Sequence, residues 1–224
     1  MSTEIVPPYK IKSKTPVGEH EPAKWVSKPV DPMLTKSFET YSKADVVKDF
    51  QAVVGRIATP SFHQETLQSL PTLSYEFPNG HNGPYGLDRY VVPEMLFDVN
   101  RQPGGGATSK GSDTVKPTSC HELIQASINK CDVDIRSNLW SSIIMTGGVS
   151  NLNGFADRLN SELQNVCSPT TKFKVIPQAS GSDRQFSPWV GGSILASLGS
   201  FQQMWVSRQE YDETGKSVVK KKCV

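Results

Sequence analysis

The sequence has no long hydrophobic run and no paired cysteines. No apolar stretch approaches the roughly 20 residues that a membrane-spanning helix requires, and the amino-terminal MSTEIVPPYK lacks the apolar segment of a signal peptide. No C-x-x-C pair occurs, so the spacing typical of zinc sites and disulfide frameworks is missing from Cys120, Cys131, Cys167 and Cys223. We therefore expect a soluble, intracellular protein with reduced thiols.

The sequence also lacks an excess of charge of either sign. Lys and Arg together number 24 and Asp and Glu 22, which gives a formal net charge of +2 over 224 residues. Non-specific nucleic-acid binding relies on a clear excess of Lys and Arg, so the composition does not favour it. The hydrophobic content of 36% suffices for one large domain or two small ones.

Two segments have a composition that disfavours regular structure. Residues 1–40 are rich in proline, which removes backbone donors and breaks helices and strands, so we predict an irregular chain that wraps a surface. A flexible arm is the alternative, and Trp25 argues against it because a large ring in a tail usually packs somewhere. Residues 101–112, RQPGGGATSKGS, are predicted to form a flexible loop.

Periodic apolar residues predict the first regular elements. Apolar positions that recur every three or four residues over 46–57 predict a helix, which Ser42 would cap and Pro60 would end. Alternating apolar residues predict a strand at 73–77, and residues 90–92 are its expected antiparallel partner.

From position 119 onward, predicted strands and helices alternate. Ser119-x-x-Glu122 is a capping box that opens a helix. The following patterns predict a strand at 142–145, a helix at 152–163, a strand at 173–176 and a helix that begins at the glycine pair 191–192. Such alternation is typical of an α/β domain.

The turn Thr146-Gly147-Gly148 between a buried strand and a helix is the most informative local feature. Glycines lack Cβ atoms, so their backbone can lie close to a ligand and adopt φ values that other residues avoid. Free N–H groups at the start of the following helix favour a nucleotide. An ordinary strand-to-helix turn explains the same two glycines, so the turn alone leaves both interpretations open.

Four longer strings are more specific. They are KCDVDIRSNLW at 130–140, GFADRLNSEL at 154–163, WVGGSILASL at 189–198 and FQQMWVSRQEYDETGKS at 201–217. Together with the TGG turn they resemble the carboxy-terminal part of the actin superfamily, over about residues 70–224. The resemblance implies the carboxy-terminal portion of an α/β fold of the actin/Hsp70-like (ribonuclease H-like) ATPase type.

Three further strings are similar to the nuclear actin-related protein 4 group of that superfamily: IVPPY at 5–9, KDFQA at 48–52 and YEFPNG at 75–80. This resemblance implies a non-catalytic subunit of chromatin-remodelling and histone acetyltransferase complexes, active in the nucleus in transcription regulation and DNA repair. The implied partners are nuclear actin and a helical scaffold segment of a chromatin ATPase or acetyltransferase-complex subunit. Contacts with histones or nucleosomes are a further expectation, and no membrane partner is expected.

The resemblance also implies which residues contact a bound ATP. The glycine turn would lie against the adenosine, and the implied set is Gly147, Gly148, Val149, Asn151, Leu152, Arg184 and Gln185. Leu152 replaces an aromatic ring and Gln185 replaces a lysine, so we expect the nucleotide to be held differently or more weakly. Arg184 either compensates for the lost lysine or serves as a structural ion-pair residue.

No catalytic residue and no metal ligand is expected in this chain. In the actin fold the phosphate loops, the metal-linked aspartates and the residues that position water belong to the amino-terminal half, which this sequence does not contain. Asp132 and Asp134 are expected to cap a helix and to pair with Arg136. ATP is therefore expected to be a structural ligand, with its phosphate and Mg²⁺ contacts supplied by the other half.

A second implied site is a groove for a partner helix. Its lining matches the cleft between the two large lobes of actin and consists of Val190, Ile194, Leu198, Phe201 and Met204. Apolar anchors with an adaptable Met suit an amphipathic helix. The same residues could instead face the core, which is the interpretation that we favour for Leu195.

Three regions follow from the resemblance. Residues 1–118 form a proline-rich insertion and a small peripheral region, 119–186 the nucleotide-cleft lobe, and 187–224 the carboxy-terminal helices. Two alternatives remain from other functional classes. One is an ATP-hydrolysing, filament-forming actin-like protein, and the other is an actin-related subunit of a cytoskeletal motor cofactor.

Overall fold

The computed structural model describes residues 4–19, 21–99, 118–177 and 181–222. The chain forms two compact units. The first unit consists of Met1–Ile143 and Leu152–Val175, and the second of Ile144–Asn151 and Ile176–Val224. The three regions predicted from the resemblance, 1–118, 119–186 and 187–224, have other boundaries than these two units. They stay a prediction.

The proline-rich segment contains a hairpin, so the prediction of an irregular chain is wrong. After a 3₁₀ turn at Pro8–Lys10, strand β1 (Ile11–Thr15) pairs antiparallel with β2 (Lys24–Ser27). The prolines flank these two strands and do not interrupt them, so every strand residue keeps the backbone donor that pairing needs. Trp25 lies in β2, opposite Lys14.

Helix α1 (Lys36–Val54) begins earlier than predicted. Thr35, and not Ser42, is its cap, because the Thr35 side chain accepts a hydrogen bond from Phe38 N at 3.3 Å. The helix presents Phe50 to an aromatic cluster, with ring centroids 5.1 Å from Tyr75 and 4.8 Å from Tyr85.

The predicted strand at 73–77 exists, but its predicted partner is wrong. Strand β3 (Leu73–Glu76) pairs with β4 (Asn82–Tyr85), with Tyr75 opposite Gly83. The chain returns at once because Phe77 N donates to His81 O at 2.8 Å and closes the turn. Residues 90–92 instead belong to helix α3 (Asp88–Glu94). Before the hairpin, the short helix α2 (Gln64–Gln68) buries Leu67.

The predicted alternation after position 119 is confirmed. The elements in chain order are α4 (Cys120–Asn129), α5 (Val133–Trp140), β5 (Ile143–Met145), α6 (Phe155–Val166) and β6 (Val175–Pro177), with β5 and β6 paired. The capping box at the start of α4 is present, since Ser119 N donates to a Glu122 carboxylate oxygen at 3.1 Å. The loop predicted at 101–112 lies outside the described residues.

The second unit is mainly helical. It contains a 3₁₀ turn at Gly148–Asn151, α7 (Ser182–Ser197), a 3₁₀ segment at Gly199–Met204, α8 (Arg208–Thr214), a 3₁₀ turn at Gly215–Ser217 and α9 (Val218–Lys222). The prediction that a helix begins at the glycine pair 191–192 is wrong, because both glycines lie inside α7. Interior glycines cost a helix about 1 kcal/mol each, which does not stop it. No helix in the described ranges is both long and apolar enough to cross a membrane.

Candidate functional site

The glycine turn follows directly from strand β5. Gly147 has φ +93°, a conformation that side chains bearing a Cβ rarely adopt. A Cβ built on Gly147 would meet no heavy atom within 4 Å, so the backbone here borders open space. A Cβ built on Gly148 would lie 3.6 Å from the Gln185 side chain. The turn therefore offers a bare backbone surface with one amide side chain beside it.

Hydrogen bonds to the first turn of α7 hold this surface in place. Gly147 N donates to Arg184 O at 2.9 Å, and the Arg184 guanidinium donates to Ser150 O at 3.1 Å. Asn151 Nδ2 donates to Gly181 O at 2.9 Å. These bonds join residues 30 or more positions apart, so the turn is fixed by tertiary structure.

Six of the seven predicted nucleotide residues come together in the second unit: Gly147, Gly148, Val149, Asn151, Arg184 and Gln185. Leu152 belongs to the first unit, where its Cδ2 lies 3.3 Å from the position of a Cβ on Gly55. The role of each residue toward a nucleotide stays a prediction.

The side chains of the six differ in what they can offer a ligand. Asn151 and Arg184 donate hydrogen bonds to backbone oxygens at the turn, and the choice between the two roles of Arg184 stays a prediction. Val149 is 56% exposed, and the Gln185 side chain borders Gly148. Val149, Gln185 and the glycine backbone are thus the groups best placed to touch a ligand.

Sequence reasoning missed the hydroxyl groups around the turn. Ser150 is buried, and its Oγ donates to Gly147 O at 2.8 Å. Thr146 Oγ1 donates to Arg184 O at 3.3 Å and also contacts the Ser187 hydroxyl. Ser and Thr next to a glycine often bond back to the local backbone, and this signal could have identified Ser150.

The predicted groove residues lie on α7 and the 3₁₀ segment that follows it. Four of them are exposed, namely Val190 (43%), Ile194 (60%), Leu198 (49%) and Met204 (57%). Phe201 is half-buried, and its ring lies edge-on to Trp205 at 6.2 Å. We call these five residues the α7 face.

The interpretation of Leu195 as a core residue is wrong for the described chain, since Leu195 is 60% exposed. Helix α7 has no buried residue at all among those described. A shallow depression of about 520 Å³ lies at its amino-terminal half, lined by Ser182, Asp183, Phe186, Trp189 and Val190. Helix α7 therefore presents several exposed apolar side chains to its surroundings.

The predicted pairing of Asp132 and Asp134 with Arg136 is wrong. The Arg136 guanidinium donates instead to the backbone oxygens of Asn129 and Cys131, both at 2.9 Å. Asp132 stands at the cap position of α5, but its side chain makes no capping hydrogen bond. Nowhere in the described segments do three or more His, Cys, Asp or Glu side chains gather as metal ligands would.

The chain combines short strands and helices in an α/β arrangement, with an open glycine turn after strand β5. The family model described as Actin matches residues 1–224, and the chain belongs to the actin family.

Several curated relatives carry the name "Actin-related protein 4". The protein from Oryza sativa subsp. indica is 36% identical over 220 residues, which is 98% of this chain and 49% of that protein. The protein from Arabidopsis thaliana is 37% identical over 195 residues, covering 86% of this chain and 44% of its own length. The Schizosaccharomyces pombe protein is 33% identical over 241 residues, at 98% and 54% coverage. The chain thus spans about half the length of the curated relatives it matches.

Proposed function

We propose that the protein is a non-catalytic, actin-related binding subunit of nuclear chromatin-remodelling and histone acetyltransferase complexes. It docks a helix of a scaffold subunit and pairs with nuclear actin. ATP serves it as a structural ligand. Similarity to proteins named "Actin-related protein 4" supports the chromatin setting, because the resemblance to that group implies it.

The exposed α7 face carries the proposal. Val190 and Ile194 are four residues apart and so lie on one side of α7, and Leu198 follows directly after the last residue of the helix. An amphipathic helix that binds in a groove uses apolar anchors at this spacing. Met204 adds a flexible side chain that adapts to different partners. A large exposed apolar face on a single helix gains free energy when a partner covers it.

The nucleotide part of the proposal rests on Gly147 and Gly148. A Cβ at Gly147 would occupy otherwise open space, which is where the edge of an adenosine could approach the backbone. Gln185 offers an amide for hydrogen bonding but no charge, so we expect moderate affinity. Residues of the other half would provide the phosphate and Mg²⁺ contacts.

Binding of an amphipathic helix tests the partner part. A fluorescent scaffold helix peptide is titrated with the wild-type chain and with Ile194→Asp. We expect the substitution to weaken binding at least about tenfold, since it places a charge at an apolar contact. Val219→Asp is the matched control, because Val219 is another exposed apolar residue of the second unit at 49% exposure. Equal affinity for all three chains would contradict the proposal.

ATP binding and turnover test the nucleotide part. Gly148→Val fills the space beside Gln185 without requiring a positive φ, so we expect weaker ATP binding from a folded chain. Gly199→Val is the control, since open space surrounds Gly199 as well. If the wild-type chain does not bind ATP, or if Gly148→Val binds ATP as tightly as the wild type does, the proposal that this chain binds the nucleotide through its glycine turn is contradicted. Multiple turnover of ATP, or pelleting of a polymer in ATP, would favour the filament alternative.

A further inference from the structure

The first unit contains a pocket of about 260 Å³ that the nucleotide and helix sites do not explain. It is lined by Arg56, Ile57, Ala58, Thr59, Leu67, Leu70, Pro71, Arg89 and Tyr90. Its apolar floor is well packed, because Ala58, Leu67 and Tyr90 are buried and form one cluster with Phe62 and Leu87. The pocket thus combines an apolar floor with two guanidinium groups.

Arg56 brings an uncompensated positive charge to this pocket. Its side chain is exposed and makes no hydrogen bond or ion pair with any residue of the described chain. Its backbone is nevertheless fixed, since Arg56 N donates to Arg89 O at 3.0 Å and the residue forms a bridge with Asn153. A cation on a fixed backbone is suited to bind an anion.

Arg89 is held more tightly. Its Nε donates to Val54 O at 3.0 Å and its Nη1 to Pro71 O at 3.3 Å, so only part of its donor capacity is used. The guanidinium also lies 5.8 Å from the Tyr90 ring centroid. Neutral backbone oxygens fix its position but leave its charge unbalanced.

No carboxylate lies among the lining residues of this pocket in the described chain. Asp88 and Glu65 are near in sequence, but both are exposed and neither lines the pocket. Arg158, a buried arginine of the same unit, differs from Arg56 and Arg89 because it is paired with two carboxylates. The pocket therefore has a local excess of two positive charges above an apolar floor.

We propose that this pocket binds the carboxyl terminus of a polypeptide whose last residue is apolar, such as Leu. In such a residue the carboxylate and the apolar side chain are bonded to the same Cα atom. The carboxylate can therefore contact the two guanidinium groups while the side chain packs on the apolar floor. A cavity of about 150 Å³ accommodates benzene, so 260 Å³ holds one apolar side chain with its carboxylate. This site does not depend on ATP or on the α7 face.

Short peptides provide the test. The probe is acetyl-Gly-Ser-Gly-Ser-Leu with a free carboxyl end, and binding to the 224-residue chain is measured by ligand-detected NMR. The same peptide with a carboxamide end keeps the leucine but lacks the charge. A third peptide, acetyl-Gly-Ser-Asp-Leu-Gly-Ser-amide, offers an internal carboxylate. We expect the free acid to bind at least about tenfold more tightly than either amide. The carboxamide peptide lacks the charge, and the internal peptide does not carry its carboxylate on the same carbon atom as the apolar side chain.

Three variants locate the site. Arg56→Gln removes the unpaired cation and is expected to weaken binding of the free acid about tenfold while leaving the carboxamide unchanged. Leu70→Glu places a carboxylate at the pocket wall and should abolish binding of the acid. Arg208→Gln, at an exposed arginine outside the pocket, is the matched control and should have no effect.

Three results would overturn the proposal. Equal affinity of the acid and the carboxamide would show that charge is not recognised. Equal affinity of the internal peptide would show that an acidic segment, and not a chain terminus, is the ligand. Loss of binding in Arg208→Gln to the same extent as in Arg56→Gln would place the site elsewhere.

Discussion

Arg158 shows how single residues stabilise the first unit. Its side chain is 5% exposed and that of Glu94 is 2% exposed, and the two form a bidentate ion pair at 2.6 and 2.9 Å. Ala58 O and Glu162 accept further hydrogen bonds, and the Phe97 ring lies 5.0 Å away. Burial alone would lower the pKa of Arg158, but the two carboxylates outweigh it, so the pKa is raised.

We expect Arg158→Met to lower the free energy of unfolding by about 3–5 kcal/mol, because it leaves Glu94 buried without its counter-charge. Urea unfolding followed by circular dichroism measures the loss. The double variant Arg158→Met/Glu94→Met should regain most of it, since neither charge is then buried.

Arg208→Met is the control for this experiment. Its pair with Asp212 is a surface pair, with the two side chains 92% and 60% exposed. We expect a change of about 0–1 kcal/mol. If Arg158→Met lowers the free energy of unfolding by no more than Arg208→Met does, the buried pair is not a major contributor to stability.

At the scale of elements, contacts outside the helices hold the start of α6 and join α9 to α8. Helix α6 begins where the chain passes close to residues 56–57, because Ile57 N donates to Asn153 O at 2.9 Å. Gly154 has φ +89°, and a Cβ on it would lie 2.7 Å from Ile57 O. At the carboxyl end, Lys222 Nζ donates to Glu210 at 2.8 Å and to Trp205 O at 2.7 Å, joining α9 to α8.

Gly154→Ala is expected to destabilise the first unit by more than about 1–2 kcal/mol, the cost of the left-handed conformation alone. The excess arises because the new Cβ would overlap the Ile57 carbonyl, which is backbone and cannot turn away. Gly147→Ala is the comparison in urea unfolding, since its φ is similar but its surroundings are open. If both variants lowered the free energy of unfolding equally, the close approach of the Gly154 Cβ position to the Ile57 carbonyl would have no energetic effect.

The Glu210 carboxylate should titrate at unusually low pH. The hydrogen bond from Lys222, followed by that from Ser207 N, lowers its pKa from the ordinary 4.5 to about 2. Because the folded pKa is depressed, the stabilisation is present above pH 4.5 and is lost as pH falls toward 2.

Carboxyl NMR of Glu210 measures this pKa, and Lys222→Gln should return it toward 4.5. Lys221→Gln is the matched control, a neighbouring lysine for which no contact with Glu210 occurs in the described chain. A Glu210 pKa near 4.5 in the wild-type protein would contradict the prediction.

At the scale of the whole molecule, burial is uneven between the two units. The first unit contains the most deeply buried apolar side chains of the described residues, including Ile57, Leu159 and Leu163. In the second unit α7 buries none of its residues. Local stability follows such packing, so the two units should open at different rates.

Hydrogen exchange tests this difference. We expect α6 amides around Leu159 and Leu163 to exchange much more slowly than α7 amides around Ile194. Adding a saturating amphipathic scaffold helix should slow exchange in α7 and leave α6 unchanged, because only the α7 face would be covered. Protection of α7 equal to that of α6 without a partner would contradict the prediction.

The sequence by itself determined the features that depend on neighbouring residues. The Ser119–Glu122 capping box, the apolar face of α6 and the glycine turn after β5 could all be predicted, because each signal lies within a turn or two of the chain. The long strings at 130–140 and 189–198 also determined the family, since so many specific residues in order do not recur by chance.

Only the tertiary structure decided which segments pair with one another. The sequence could not show that β3 pairs with β4, because hairpin register depends on how the turn closes. Nor could it assign Arg184 to Ser150, a bond that spans 34 positions. Apolar periodicity shows that a helix has an apolar face but not what covers it, which is why Leu195 was misjudged as a core residue. Burial is a property of the folded chain, and no local pattern determines it.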